Sequence, residues 1–185
     1  MEINRIWAMP NKWTFQIPPI AELLKEYVGD GTGWIDPFAG QSTMAQFRND
    51  LDPSSPAPNH LTAEEWVNSL GGEYRGILFD PPYSGRQVKE CYSHLNKKVH
   101  RDDTNAYFYG NIKRLISPKI MKGGYAISCG WNTNGFGRGN GFEILEILLV
   151  CHGSSHNDTI VVVEHKSVKE AGWKRWRVQN AGATT

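Results

Sequence analysis

The chain has 185 residues, 39% of them hydrophobic and 11% aromatic, with a formal net charge of +1. Such a length buries about 70% of the unfolded surface, enough for one core without staples. A charge this near zero excludes a surface given over wholly to nucleic acid, so any basic patch must be local. There is no leader pattern and no apolar run of the ~20 residues that cross a bilayer, which fits a cytoplasmic protein without a membrane partner. The three cysteines, Cys91, Cys129 and Cys151, lack paired spacing and read as reduced thiols.

In chain order, Ile20–Val28 has helical spacing and stops at Gly29. Gly33–Asp36 reads as a first strand, and the next ends at Asn49-Asp50. The crossover between them is short for a parallel connection, so its helix must be clipped to a turn or two. Leu51–Asn59 is a proline-rich loop, and His60-Leu61-Thr62 a short strand end. Ala63–Leu70 is a helix with Thr62 as its cap and Glu65 as the capping-box partner. Gly76–Phe79 is a buried strand, followed by a helix start over Gly85–Tyr92. Ser93–Arg101 is polar, basic and poorly periodic. Asp103–Met121 is helical, disturbed by Pro118, and Gly124–Cys129 is another buried strand. Glu143–Cys151 and Thr159–His165 form an antiparallel hairpin. Strands alternating with helices, closed by a hairpin, predict an α/β fold: one mostly parallel twisted sheet with an antiparallel edge. All 185 residues read as a single domain, with a basic aromatic tail over about 167–185.

The most informative residues are Asp80-Pro81-Pro82-Tyr83, directly after the Gly76–Phe79 strand. The prolines fix φ near −65° and remove two backbone donors, leaving carbonyls without local competition. Asp80 adds a carboxylate and Tyr83 a flat face. Together they suit a planar –NH2 group on a ring, as in a nucleobase. Asp-Pro-Pro is also a good turn in its own right. A second motif, Trp34-Ile35-Asp36-Pro37-Phe38-Ala39-Gly40, repeats the pattern of apolar strand, acid and tight turn. Open α/β sheets bind nucleotide-like ligands at such turns. Only Gly40 is glycine there, which argues against a diphosphate cradle. Asp36 could take an ammonium group and Phe38 could pack on an apolar stretch.

With both motifs in this order, the chain resembles the amino-methylating, S-adenosylmethionine-dependent DNA methyltransferases, over roughly residues 9–166. Thr14-Phe15-Gln16-Ile17-Pro18-Pro19-Ile20 is similar to that family's segment lining the methionine end of the cofactor. Gly130-Trp131-Asn132-Thr133-Asn134-Gly135 and His156-Asn157-Asp158-Thr159 resemble stretches of its small, often phage-borne members. The resemblance implies a Rossmann-like fold, S-adenosylmethionine as cofactor and catalysis by Asp80, Pro81, Pro82 and Tyr83. It implies cofactor contacts from Thr14, Phe15, Ile17, Asp36, Pro37, Phe38, Gly40 and Asp80. An acid at the end of the second strand would hold the ribose hydroxyls, Asp50 before Asp52. Tyr83 would stack on the target base, with Trp131 or Phe136 as a further face and Asn132 nearby. Thr62 stands where some relatives carry an acid toward the adenine.

Nucleic acid has two candidate grips: Arg86, Lys89, Lys97, Lys98, His100 and Arg101, or the tail with Trp173, Lys174, Arg175, Trp176 and Arg177. No gap could hold a separate target-recognition domain, so a second copy or a partner subunit could supply recognition. The expected reaction is methylation of adenine N6 in DNA, within a bacterial or phage-infected cell, with restriction-modification as its expected setting. Cytosine N4, an RNA base, or a cofactor-binding pseudoenzyme are the alternatives. Cys151, His152 and His156 lack a fourth partner for zinc, so no metal is expected.

Overall fold

The computed structural model describes residues 1–88, 106–153 and 156–168. Seven strands form one sheet: β1 (Glu2–Trp7), β2 (Trp34–Asp36), β3 (Phe47–Arg48), β4 (Tyr74–Phe79), β5 (Ile120–Gly130), β6 (Phe142–Cys151) and β7 (Thr159–Lys166). Their spatial order is β1-β6-β7-β5-β4-β2-β3. Only β7 runs against its neighbours; β3, β2, β4 and β5 pair in parallel, as do β1 and β6. The carboxyl ends of the six parallel strands therefore share one edge.

The central strands read as they do because both faces are covered. β4 is buried at every position but Arg75, as expected of a parallel strand between two helical layers. On one face lies α1 (Pro18–Val28), whose Ile20, Leu23, Leu24 and Val28 follow helical spacing into the core beside Trp34. Prolines occupy its first turn, where their missing N–H groups cost nothing, and Gly29 closes it at φ 63°. On the other face α2 (Ala63–Ser69) and α3 (Ala106–Ile116) bring Trp66, Val67, Ile112 and Ile116 against Ile77 and Phe79. The expected box at α2 is present: Glu65 N–H donates to Thr62 Oγ1 at 3.2 Å, and Thr62 N–H to Glu65 at 3.1 Å.

Four details depart from the sequence reading. The β2–β3 crossover holds no helix, only hydrogen-bonded turns such as the one closed by Ser42 N–H on the Ala39 carbonyl at 2.7 Å. It leaves the carboxyl edge at Pro37 and returns to the amino end of β2, where Gln46 accepts the Gly33 N–H at 2.7 Å and donates its own N–H to the Gly31 carbonyl at 3.1 Å. His60–Thr62 is not a strand; that region offers the sheet only an isolated bridge between Asn49 and Asn59. The expected Asp103–Met121 helix stops at Ile116, followed by a 3-10 turn over Ser117–Lys119, and β5 begins at Ile120. Pro118 explains the stop, and the Lys166 ammonium bonds the Ser117 and Ile120 carbonyls, each at 2.5 Å. Finally, β1 was not legible as a strand. Its six residues are all exposed, and it adds an outer strand beside the hairpin.

Cys151 and His152, at the end of β6, fasten this outer strand, the Cys151 carbonyl accepting the Ala8 N–H at 3.1 Å. His152 is buried, one ring nitrogen 2.9 Å from the Ala8 carbonyl and the other 2.9 Å from Thr159 Oγ1. Both nitrogens are engaged, and among the described residues no cluster could hold a metal ion. Cys129 and Cys151 are buried free thiols, while Cys91 lies outside the described residues. No helix of the described residues is long and apolar enough to cross a membrane.

Gly76 marks a tight point of the sheet, because a Cβ there would lie 2.7 Å from ring carbons of the fully buried Trp34. Trp34 in turn stacks on Tyr125 of β5, ring centroids 6.5 Å apart. Gly76→Ala is expected to destabilise the protein by about 1–3 kcal/mol through overpacking. Urea denaturation of the two proteins measures it.

Candidate active site at the carboxyl edge

Two clefts open along the carboxyl edge, and the turn after β4 is the wall between them. The first, about 580 Å³, runs over the ends of β2, β3 and β4. The second, about 510 Å³, lies over β4, β5 and the amino half of α3. Pro81, Pro82 and Tyr83 face both.

That turn is held by its own side chains. Gln87 Oε1 accepts the N–H groups of Tyr83 (2.7 Å) and Ser84 (3.1 Å), while Ser84 Oγ accepts the Gln87 N–H at 3.2 Å. This reciprocal capping starts the helical turn at Gly85 and fixes where Tyr83 leaves the strand. The Tyr83 hydroxyl donates to the Asp80 carboxylate and lies 3.3 Å from Thr14 Oγ1. Its ring meets Trp131 edge-on, centroids 5.7 Å apart.

Burial pushes the Asp80 carboxyl up to about 6, against the lowering effect of hydrogen bonds from Tyr83 and Thr14. The acid is thus ionised at neutral pH and close to its titration point. Burial first, and then the charge of Asp80, raise the Tyr83 phenol far above its ordinary value, so it stays a hydrogen-bond donor.

The first cleft gathers most of the residues singled out for the cofactor. Thr14, Phe15, Pro37, Phe38, Gly40, Asp50 and Asp80 all line it. Phe38 packs edge-on against Phe79 at 5.3 Å. Gly40 turns at φ 51°, and a Cβ there would press on the Trp13 ring at 3.2 Å. Asp50 joins the two loops of the cleft: one oxygen accepts the Gly40 N–H at 2.7 Å and the other the Asp52 N–H at 2.9 Å. Carboxylate oxygens have lone pairs left for a ligand hydroxyl. Asp52, the second choice, is not on the wall.

Two of those residues lie elsewhere. Ile17 is 2% exposed and packs in the core, because it ends the 3-10 turn Thr14–Gln16 and begins α1. Asp36 is fully buried beneath the turn it starts, with one oxygen accepting the Phe38 N–H at 3.0 Å. Its other oxygen has no protein partner. Burial, followed by the charges of Asp80 and Asp50, raises its carboxyl well above the usual range.

On the acceptor side, Trp131 and Asn132 line the second cleft with Tyr83 and Phe136. Arg86 is exposed and outside both walls. Lys174, Arg175 and Arg177 lie outside the described residues, as do Lys89, Lys97, Lys98, His100 and Arg101. Several wall or bracket residues escaped the sequence reading. Trp13, Gln41–Met44 and Gln87 line the first cleft, and Lys113 and Ser128 the second. The Ser84-x-x-Gln87 box was a readable signal. Asn49 was not: it bridges the first-cleft loops through the Pro37 carbonyl (3.2 Å) and the Leu61 peptide (3.0 Å each way).

No protein-family model and no curated protein matches this chain in sequence. Solved structures do match it in fold. TrmN from Thermus thermophilus is 20% identical at a TM-score of 0.52, over 81% of this chain and 49% of that one, so this chain spans about half its length. The Burkholderia thailandensis 1,6-didemethyltoxoflavin-N1-methyltransferase, with bound 1,6-didemethyltoxoflavin and S-adenosylhomocysteine, is 13% identical at 0.55, covering 80% and 77%. Magnesium protoporphyrin IX methyltransferase from Synechocystis, with bound S-adenosylmethionine, is 9% identical at 0.50, covering 81% and 79%. The fold is therefore that of the Rossmann-like S-adenosylmethionine-dependent methyltransferases.

The raised pKa of Asp80 has a signed consequence for stability. Folding lifts this carboxyl from an ordinary 3.8 to about 6, so the native state binds its proton more tightly than the unfolded chain. The resulting destabilisation is absent below the unfolded value and complete above the folded one. Asp80→Asn removes it. The stability gain of the variant over wild type is expected to be largest near pH 8 and to shrink as pH falls through 6 toward about 4. Denaturation series at several pH values measure that difference.

Proposed function

We propose that this chain transfers a methyl group from S-adenosylmethionine to the exocyclic N6 amine of adenine in DNA. The observation that carries the reading is the position of Asp80–Tyr83. Pro81, Pro82 and Tyr83 form the wall between two ligand-sized clefts and Asp80 lines the first of them, so an amine that reaches Asp80 from the second lies beside a donor held in the first.

The first cleft fits the cofactor by its donor set. Asp50 suits ribose hydroxyls, Phe38 and Leu61 offer apolar walls, and Gly40 keeps the turn free of a side chain. When bound there, S-adenosylmethionine supplies a methyl group on a sulfonium, which needs no metal to be electrophilic. Everything else falls to the protein. An exocyclic amine shares its lone pair with the ring and is a poor nucleophile. The Asp80 carboxylate and the Pro81 carbonyl are the acceptors for its two hydrogens. Holding both hydrogens favours a pyramidal nitrogen and frees the lone pair for in-line attack. Tyr83 keeps Asp80 in place through its hydroxyl and offers its ring to the base, with Trp131 against its edge. A paired base cannot reach such a cleft, so it must be flipped out or already single-stranded.

Radiolabelled transfer to duplex DNA, single-stranded DNA and RNA, with the product nucleoside identified by mass spectrometry, tests the reading. N6-methyladenine in DNA is the expected product. N4-methylcytosine, or label only in RNA, would replace adenine in DNA as the substrate. No transfer with cofactor bound would point to a missing partner or a pseudoenzyme. Asp80→Ala should lower transfer by at least about 10²-fold with cofactor affinity held within about tenfold. Wild-type turnover by that variant would sink the mechanism. Because the ionised acid is the acceptor, the rate should fall as pH drops below about 6.

A further inference from the structure

The turn Asn134–Gly137, one wall of the second cleft, is gripped by opposite charges on its two sides. Glu164 of β7 is fully buried and accepts the N–H groups of Phe136 (2.5 Å) and Gly137 (2.8 Å). Lys113 of α3 donates to the carbonyls of Asn134 (2.8 Å) and Gly135 (2.9 Å). Its ammonium also lies over the rings of Phe79 (5.1 Å) and Phe136 (5.5 Å). Between them no side chain fits: a Cβ on Gly135 would collide with the Glu164 carboxylate.

Nothing in the sheet calls for a charge at position 164. It ends the apolar run Val161-Val162-Val163, and its ladder partners are Ala126 and Ile144. A buried carboxylate is costly unless its oxygens are bonded and its charge is opposed. Here the bonds come from the turn, and the opposing charge is Lys113. Folding the turn correctly is thus the condition on which the buried carboxylate is tolerated. The same turn places Asn134, Gly135 and Phe136 on the cleft, and Asn140 reaches back to the Phe136 carbonyl at 2.8 Å.

We propose that Glu164 and Lys113 are positioning residues for the acceptor: they fix the Asn134–Gly137 wall, so recognition of the acceptor depends on them and binding of the cofactor does not. The inference rests on reading the second cleft as the acceptor's.

Three variants of the full chain test it: Glu164→Gln, Lys113→Met and Gly135→Ala. Glutamine offers one accepting oxygen and one conflicting donor, so a turn N–H is stranded. Hydrogen exchange resolved to the Phe136 and Gly137 amides should quicken about tenfold or more in Glu164→Gln, ahead of any change at the β4 amides. Acceptor KM should rise about tenfold in all three, with kcat within about threefold and cofactor Kd within about twofold. Gly135→Ala separates positioning from charge, since both ionic groups remain. Unchanged exchange at the turn with unchanged KM would overturn the proposal. So would parallel losses in KM, kcat, cofactor affinity and global stability, which mark a purely structural role. A wild-type protein that binds cofactor but methylates no nucleic acid would instead overturn the acceptor reading beneath it, and the exchange arm would still decide whether the clamp exists.

Discussion

A carboxylate at the end of a buried central strand is the constraint on which the rest of this molecule turns. Asp80 sits where β4 runs out between two helical layers, and water cannot fully solvate it there. The chain answers within seven residues. Two prolines hold the turn open, Tyr83 folds back to donate its hydroxyl, and Gln87 and Ser84 pin the backbone that carries Tyr83. Thr14 reaches the same hydroxyl from a segment far away in sequence. The carboxyl is left raised to about 6, still ionised at neutral pH. A partly satisfied acid of this kind is an acceptor in want of donors, which is the property an amine-binding site needs.

Asp36 shows the other limit of the same physics. It too follows a buried strand, but the turn closes over it and leaves one oxygen without a partner. With Asp80 and Asp50 nearby, charge on Asp36 is disfavoured further. Three acids on one edge thus take three roles by environment alone. One is buried and raised, one is poised, and one is bonded across two loops.

How much of this was legible depended on whether the signal was local. The strand ends Asp36 and Asp80, the α2 capping box and the β6–β7 hairpin all follow from short-range patterns, and all were readable. The β1 strand was not, because Glu2–Trp7 buries no face and its pairing with β6 is set by a partner about 140 residues away. The resemblance implies a cofactor contact for Ile17 as for its neighbours Thr14 and Phe15. The turn into α1 rotates it into the core instead, which composition cannot reveal. Lys113 and Glu164 were invisible for the same reason. Each looks like an ordinary surface charge until the fold brings them to the two sides of one turn.

The two clefts are built from nearly separate parts of the chain. β2, β3, their loops and the Thr14–Gln16 turn make the first; β5, α3 and the turn after β5 make the second. Residues 81–83 are the main place where they meet. A change in the acceptor wall therefore need not disturb the cofactor wall, provided the β4 turn keeps its own bonds. Charges turned toward the backbone serve this separation well. The Glu164–Lys113 pair and the Asp50 bridge each bond chiefly to backbone groups of their own cleft, so each wall is fixed from within.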